Sequence, residues 1–146
     1  MRTASKIRRV HLKISQDDKS VLLGIVSAEP DYKLSLALNK NLKISLKNSS
    51  PVTVIDESGD EVTFSRFSDS AASDDLKYDL TSNRSGKSHL VKKLKNIDYI
   101  FRIHDPENET DVNQIISTLR DAEYITAVFN VDPASIKDKN LIQLIH

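Results

Sequence analysis

Val10, Leu12 and Ile14 alternate with His11 and Lys13, the period-two pattern of a half-buried strand over residues 8–15. The polar turn Gln16-Asp17-Asp18-Lys19 separates it from Val21-Leu22-Leu23-Gly24-Ile25-Val26, a short apolar run. Its length and β-branched content predict a buried strand rather than a helix. Leu34, Ala37, Leu38 and Tyr32 or Leu36 then recur at helical spacing, predicting a helix over 30–41 with Pro30 in its first turn and Lys40 and Asn41 at its end. Leu42, Ile44 and Leu46 alternate with Lys43, Ser45 and Lys47, the pattern of a further strand.

The middle of the chain is rich in strand signals. Val52-Thr53-Val54-Ile55 and Val62-Thr63-Phe64 flank Asp56-Glu57-Ser58-Gly59-Asp60 and predict a hairpin with a glycine-containing loop. Residues 68–75 are small and polar and, with 1–7, are the segments expected to be flexible. Leu76, Tyr78 and Leu80 alternate as a strand ending at Ser82-Asn83. Residues 97–104 predict a strand broken by Asp105-Pro106. The next element is a helix capped by Thr110 or Asn108, with Val112, Ile115, Ile116 and Leu119 in one stripe. Residues 124–131 predict the last strand, stopped by Asp132-Pro133, and the apolar tail 141–146 must dock against the body of the protein.

Two strand–helix–strand units, 21–47 and 97–131, therefore flank a β meander. Each helix has the length of a crossover between parallel strands. The expected fold is α+β: a mixed, largely antiparallel sheet with two main helices on one face, built from ferredoxin-like βαβ units with a β-meander insertion. A chain of 146 residues suits one domain, 1–146.

Composition narrows the function classes. With 38% hydrophobic and 29% charged residues the chain has the balance of a globular domain. Twenty-one Lys plus Arg against 21 Asp plus Glu leaves no net charge, which argues against a dedicated nucleic-acid binder. The absence of cysteine excludes disulfides, thiolate metal sites and cysteine nucleophiles. No run approaches the roughly 18 apolar residues of a membrane helix, and the basic start leads into no signal-peptide pattern, so a cytoplasmic location is expected.

Gly86-Lys87-Ser88 ends the commonest phosphate-binding motif, but the loop needs a second glycine five residues earlier, where Thr81 stands. The stretch reads as an Asn-Arg-Ser-Gly turn. The acidic cluster Asp56, Glu57, Asp60 and Glu61 lacks the spacing of a calcium loop. His11, His89, His104 and His146 lie in separate elements, so no metal site is expected. No serine sits on a nucleophile elbow, and three glycines offer few tight backbone sites; no catalytic or cofactor-binding residue is assigned and the chain reads as non-enzymatic.

Two charged features stand out. Arg84, Lys87, Lys92, Lys93 and Lys95 form a basic run with no acid between them, a candidate interaction patch for an acidic partner or for RNA. It lacks the interleaved aromatics of single-strand binding. Asp98 sits in an apolar strand, on the opposite side from Ile97, Tyr99, Phe101 and Ile103. It lies about 13 Å along the strand from Arg102, so Lys92, Lys93 or Lys95 is its expected counter-ion and a structural role its expected one.

Val91-Lys92-Lys93-Leu94-Lys95-Asn96-Ile97-Asp98-Tyr99 has the spacing of the motif that names the IPExxxVDY family of small bacterial proteins. Val91 stands for the isoleucine, Ile97-Asp98-Tyr99 matches the end, and Lys92 and Lys93 replace the proline and glutamate. The blocks 22–27, 31–34, 38–40, 80–84, 130–133 and 137–141 also resemble the family, in the same order, over nearly the whole chain. The family brings no activity, cofactor or catalytic residue to transfer.

The expected function is a protein–protein interaction or regulatory domain, acting on a protein partner or on itself as a homodimer through an open sheet face and edge strands. One alternative is a small-ligand module of the ACT type. Leu23-Gly24-Ile25-Val26 leading to Glu29-Pro30 resembles the start of that domain, although Asp31 replaces its ligand-contacting glycine. The other alternative is an RNA-processing accessory that uses the basic run 84–95.

Overall fold

Six strands build one sheet with an apolar layer on each side. A computed structural model describes residues 20–69, 76–105 and 110–144; the expected strand over 8–15, the segments 1–7 and 70–75, and Asn108 lie outside them. In chain order the described elements are β1 (Ser20–Val26), α1 (Asp31–Leu42), β2 (Lys47–Ile55), β3 (Glu61–Asp69), β4 (Lys77–Ser82), the short strands β5 (Arg84–Ser85) and β6 (Ser88–His89), a 3₁₀ turn (Lys92–Leu94), β7 (Tyr99–His104), α2 (Val112–Arg120), β8 (Ala127–Val131), α3 (Pro133–Ile136) and α4 (Lys139–Leu144). Ser68 and Asp69, expected in a loop, are the last residues of β3 and pair with Asp79 and Tyr78.

The sheet order is β2-β3-β4-β7-β1-β8, and β5 pairs with β6 separately. Every neighbouring pair is antiparallel, so the fold is α+β with an antiparallel rather than a mixed sheet. The ferredoxin-like βαβ expectation holds, in split form. β7 and β8 do run parallel, but β1 lies between them and bonds to both, so the unit is a split one. β1 and β2 are separated in the sheet by β7, β4 and β3. Helix length at either crossover says nothing about how many strands it spans.

Helix α1 begins after Pro30, which takes the cap position (φ −67°, ψ 161°) instead of the first turn, and its carbonyl accepts from Lys33 and Leu34. Asp31 places a carboxylate against the positive end of the helix. The helix stops where Lys43 turns left-handed (φ 57°) and its N–H bonds back to Asn39. Residues 42–46 are consequently not a strand. Leu42 closes the helix, while Asn39 brackets the Leu46 backbone and Asp69 accepts from the Ser45 N–H at 2.8 Å. Side chains satisfy this extended connector where a neighbouring strand would otherwise have to. Helix α2 is capped by Asp111, whose side chain accepts from Gln114, and not by Thr110.

The two helices pack against each other and share one face of the sheet. Leu34, Leu38, Ile115 and Leu119 meet Leu23, Ile25, Phe67, Tyr78, Leu80, Phe101 and Ile103 there, with Tyr78 stacked on Phe101. The opposite face is not open. Leu22, Phe64, Ile100 and Val131 are covered by Leu90, Val91 and Ile97 of the β4–β7 connection and by Leu141 of α4. The described part of the apolar tail, residues 141–144, docks here, with Leu141 fully buried. The face expected to be open for a homodimer is thus filled by the chain's own segments.

Gly24 makes this second layer possible. It lies mid-strand in β1, and a Cβ there would stand 2.9 Å from Ile97 Cδ1 and 3.2 Å from Ile97 Cγ1 and Cγ2. Ile97 therefore packs onto bare backbone, against the alternation that groups it with Tyr99. The strand proper starts two residues later, at Tyr99, so residue 97 does not follow its parity.

Replacing Gly24 by Ala should destabilise the protein by about 1–3 kcal/mol through overpacking. Adding Ile97→Val, which deletes the closest atom, should restore part of that loss. Urea unfolding of the two single variants and the double variant measures the coupling; strictly additive effects would separate the two residues.

Candidate functional site

Asn83 ends β4 and organises the connection to β7. Its side chain is completely buried. Its Nδ2 donates to Leu94 O and Ile97 O, both at 2.9 Å, and its Oδ1 accepts from Val91 N at 2.8 Å. Its backbone N–H donates to Asp98 O, and its carbonyl accepts from Leu90 N. One amide thus satisfies the turns at both ends of a connection whose own ladder is only the short β5–β6 pair. Asn140 of α4 donates to Leu90 O at 2.7 Å and draws the C-terminal helix onto the same knot.

Within the connection, Gly86-Lys87 is the two-residue loop of the β5–β6 hairpin, with φ +60° at Gly86. Ser88 enters a strand, not a helix, so no backbone N–H cradle for phosphate forms. The loop 56–60 is likewise a turn. Asp56 Oδ1 accepts from the Ser58 and Asp60 N–H groups, both at 2.9 Å. Among the described residues, no group of three His, Asp or Glu side chains is placed to hold a metal.

The five basic residues do not form one patch. Arg84 turns to Asp98, with Nε 2.6 Å from Oδ1, and its Nη2 donates to Lys95 O at 3.0 Å. Lys93 donates to the Ile136 carbonyl at 2.8 Å. Asp98 therefore finds its counter-ion in Arg84 and not in a lysine. Its second oxygen accepts from Ser27 N at 2.9 Å, which pins the β1–α1 loop. Arg102, as expected from the strand spacing, does not reach Asp98 and pairs with Asp79 at 2.9 Å.

Lys87, Lys92 and Lys95 do come together. With Lys139 they border a groove of about 600 Å³ between the tip of the β2–β3 hairpin, the β5–β6 segment and the start of α4. Val54, Ile55, Val62 and Phe64 give it an apolar wall, and Ile55 is 64% exposed. Its three acids are engaged locally. Asp56 holds its turn, Asp138 caps Asn140 and Leu141, and Glu57 pairs with Lys92. That pairing holds the Glu57 carboxyl below the usual carboxylate range. Lys87, Lys95 and Lys139 have no ion-pair partner among the described residues, and His89 presents a buried Nε2 without one. The hairpin wall and Lys139 are not legible in sequence as part of a site, because only tertiary packing brings positions 54–62 and 139 beside the run 87–95.

The β1–α1 loop, where a small-ligand module of the ACT type would bind, borders a shallow concavity of about 300 Å³ with Ser82, Arg84, Asp98 and Tyr99 and is tethered to its neighbours. Ser27 Oγ donates to Tyr124 O at 2.5 Å, and Tyr99 donates its hydroxyl to Glu29 O at 2.6 Å. Burial, helped by Asp31, Asp98 and Glu29, pushes the Tyr99 hydroxyl up to about 12. Burial raises Tyr78 as well.

No family model, curated protein or solved structure matches this chain. Among the described residues no helix is long and apolar enough to cross a membrane.

Asn83→Ala should cost about 3 kcal/mol or more, because three buried backbone groups lose their partner at once; chemical denaturation reads it, and a loss under about 1 kcal/mol would show that the knot is dispensable. Tyr99 gives a pH prediction. A phenol whose pKa is raised on folding stabilises fully below its unfolded value near 10 and loses that contribution as pH climbs through the folded value. Relative to Tyr99→Phe, the wild-type protein should therefore lose roughly 2 kcal/mol between pH ~9 and ~12, measured by urea titration of both proteins.

Proposed function

We infer that this chain is a non-enzymatic α+β interaction domain of the cytoplasm that docks an extended, acidic and apolar segment of a protein partner in the groove between the hairpin tip and residues 87–95. The observation that carries this is Lys87, Lys95 and Lys139, unpaired around an apolar wall with Ile55 exposed. Cations of this kind select acidic partners and speed their encounter, while the apolar wall supplies area to bury. An RNA partner would need the whole basic run for phosphates, and Arg84, Lys92 and Lys93 are engaged elsewhere.

We also propose membership of the IPExxxVDY family. The residue blocks behind that resemblance include Asn83, Val91, Ile97, Asn140 and Leu141, which together hold the second layer of this fold.

The test is binding of a fluorescent extended peptide with alternating Glu and Leu, compared with its Lys-for-Glu counterpart. Wild type should prefer the acidic peptide, lose affinity as salt rises, and bind at least tenfold more tightly than the variant Lys87→Glu, Lys95→Glu, Lys139→Glu. All three lysines are exposed, so that variant keeps the fold. Equal affinity for both peptides, or an unaffected triple variant, would discard the groove.

A further inference from the structure

A second concavity on the same sheet face carries different chemistry. It measures about 270 Å³ and lies over the outer strands, bordered by Val52 and Thr53 of β2, Arg66, Thr81, Arg102 and, from the end of α4, Gln143. The cross-strand register explains its polarity. Arg66, Thr81 and Ile100 stand on one rung, and Ser68, Asp79 and Arg102 on the next. These side chains occupy the face that, nearer the hairpin tip, carries Phe64 and the second apolar layer.

The two arginines differ. Arg102 is fully engaged: Nη1 lies 2.9 Å from Asp79 Oδ2, and Nε donates to Ser20 Oγ at 3.1 Å. Asp79 in turn accepts from Ser68 Oγ at 2.5 Å. The second rung is therefore a rigid, satisfied network. Arg66 on the first rung has no ion pair among the described residues, and its Nε is buried without any acceptor. A guanidinium N–H removed from water without an acceptor is costly, and buried charges are normally paired. Two guanidinium groups against one carboxylate leave one positive charge unbalanced in the cavity.

The geometry points to an oxyanion-binding site in which Arg66 grips a carboxylate or phosphoryl group of a small ligand. A planar guanidinium presents parallel N–H donors at the spacing of two such oxygens. Arg102, held by Asp79 and Ser20, adds positive potential without having to reorganise. Thr53, Thr81 and Gln143 add polar groups around the anion. The volume lies below the ~300–1,000 Å³ of drug-sized pockets, which restricts the ligand to a few heavy atoms beyond the anion. This site does not rest on the docking groove; α4 lines the groove with its first residues and the pocket with its last.

The experiment is an NMR titration of the full chain at constant ionic strength, with inorganic phosphate in one arm, malonate in a second and chloride as the control. The Arg66 Nε–Hε resonance and the Thr53 and Thr81 amides should shift saturably in the phosphate or the malonate arm, and the responding arm identifies the anion class. Thermal melts should rise by roughly 5 °C or more at a hundredfold excess over Kd, and Arg66→Gln should weaken binding at least tenfold. Chloride-like behaviour of both anions, shifts confined to the surface lysines, or equal binding by Arg66→Gln would overturn the site. The resonance readout on the wild-type protein stands even if that variant folds poorly.

Discussion

The Asn83 amide is the constraint on which the second layer of this protein depends. A sheet can present an apolar face to a helix without help, because the helix satisfies its own backbone. The connection between β4 and β7 has only a partial internal solution, the short β5–β6 pair and one 3₁₀ turn. It buries Leu90 and Val91 completely, which takes backbone out of water, and Asn83 supplies the donors and the acceptor that offset this cost. Asn140 extends the arrangement to α4 through the same Leu90. Loss of the knot would release the lid over Ile100 and Val131, and with it the shape of both concavities.

The resulting sheet face is divided. Near the hairpin tip Phe64 and its neighbours are roofed by the connection and by Leu141. Toward the other end of the same strands the rungs turn polar, with Ser68, Asp79 and Arg102 satisfied among themselves and Arg66 left over. A net charge of zero conceals this arrangement, since the balance of the whole chain says nothing about where a single cation lacks a partner. The outer strand β2 is poorly suited to pairing with another chain: Pro51 lacks an N–H, and its ladder is interrupted between Ser49 and Val52.

Much of the fold was legible in local pattern. The run 21–26, the hairpin around Gly59, the alternation at 76–80 and the stripe Val112, Ile115, Ile116 and Leu119 each specify their element through periodicity or turn chemistry, which need no knowledge of neighbours. Residues 42–46 misled because an extended connector buries alternate side chains just as a strand does; what distinguishes them is the Asn39 and Asp69 hydrogen bonds, invisible in a one-dimensional pattern. Asp98 was expected to carry a counter-ion, but which one was not legible, since the choice between Arg84 and three lysines rests on side-chain reach.

The sequence by itself thus determined most of the elements, the α+β class with its two main helices, and a turn at Gly86, because each arises from interactions within a few residues. Tertiary structure alone decided strand order, the placing of β1 between β7 and β8, the covering of the second face and the two concavities. Those depend on which distant segments share a surface: Ile97 over Gly24, Leu141 under the connection, and Arg66 beside the Asp79–Arg102 pair without an acid of its own.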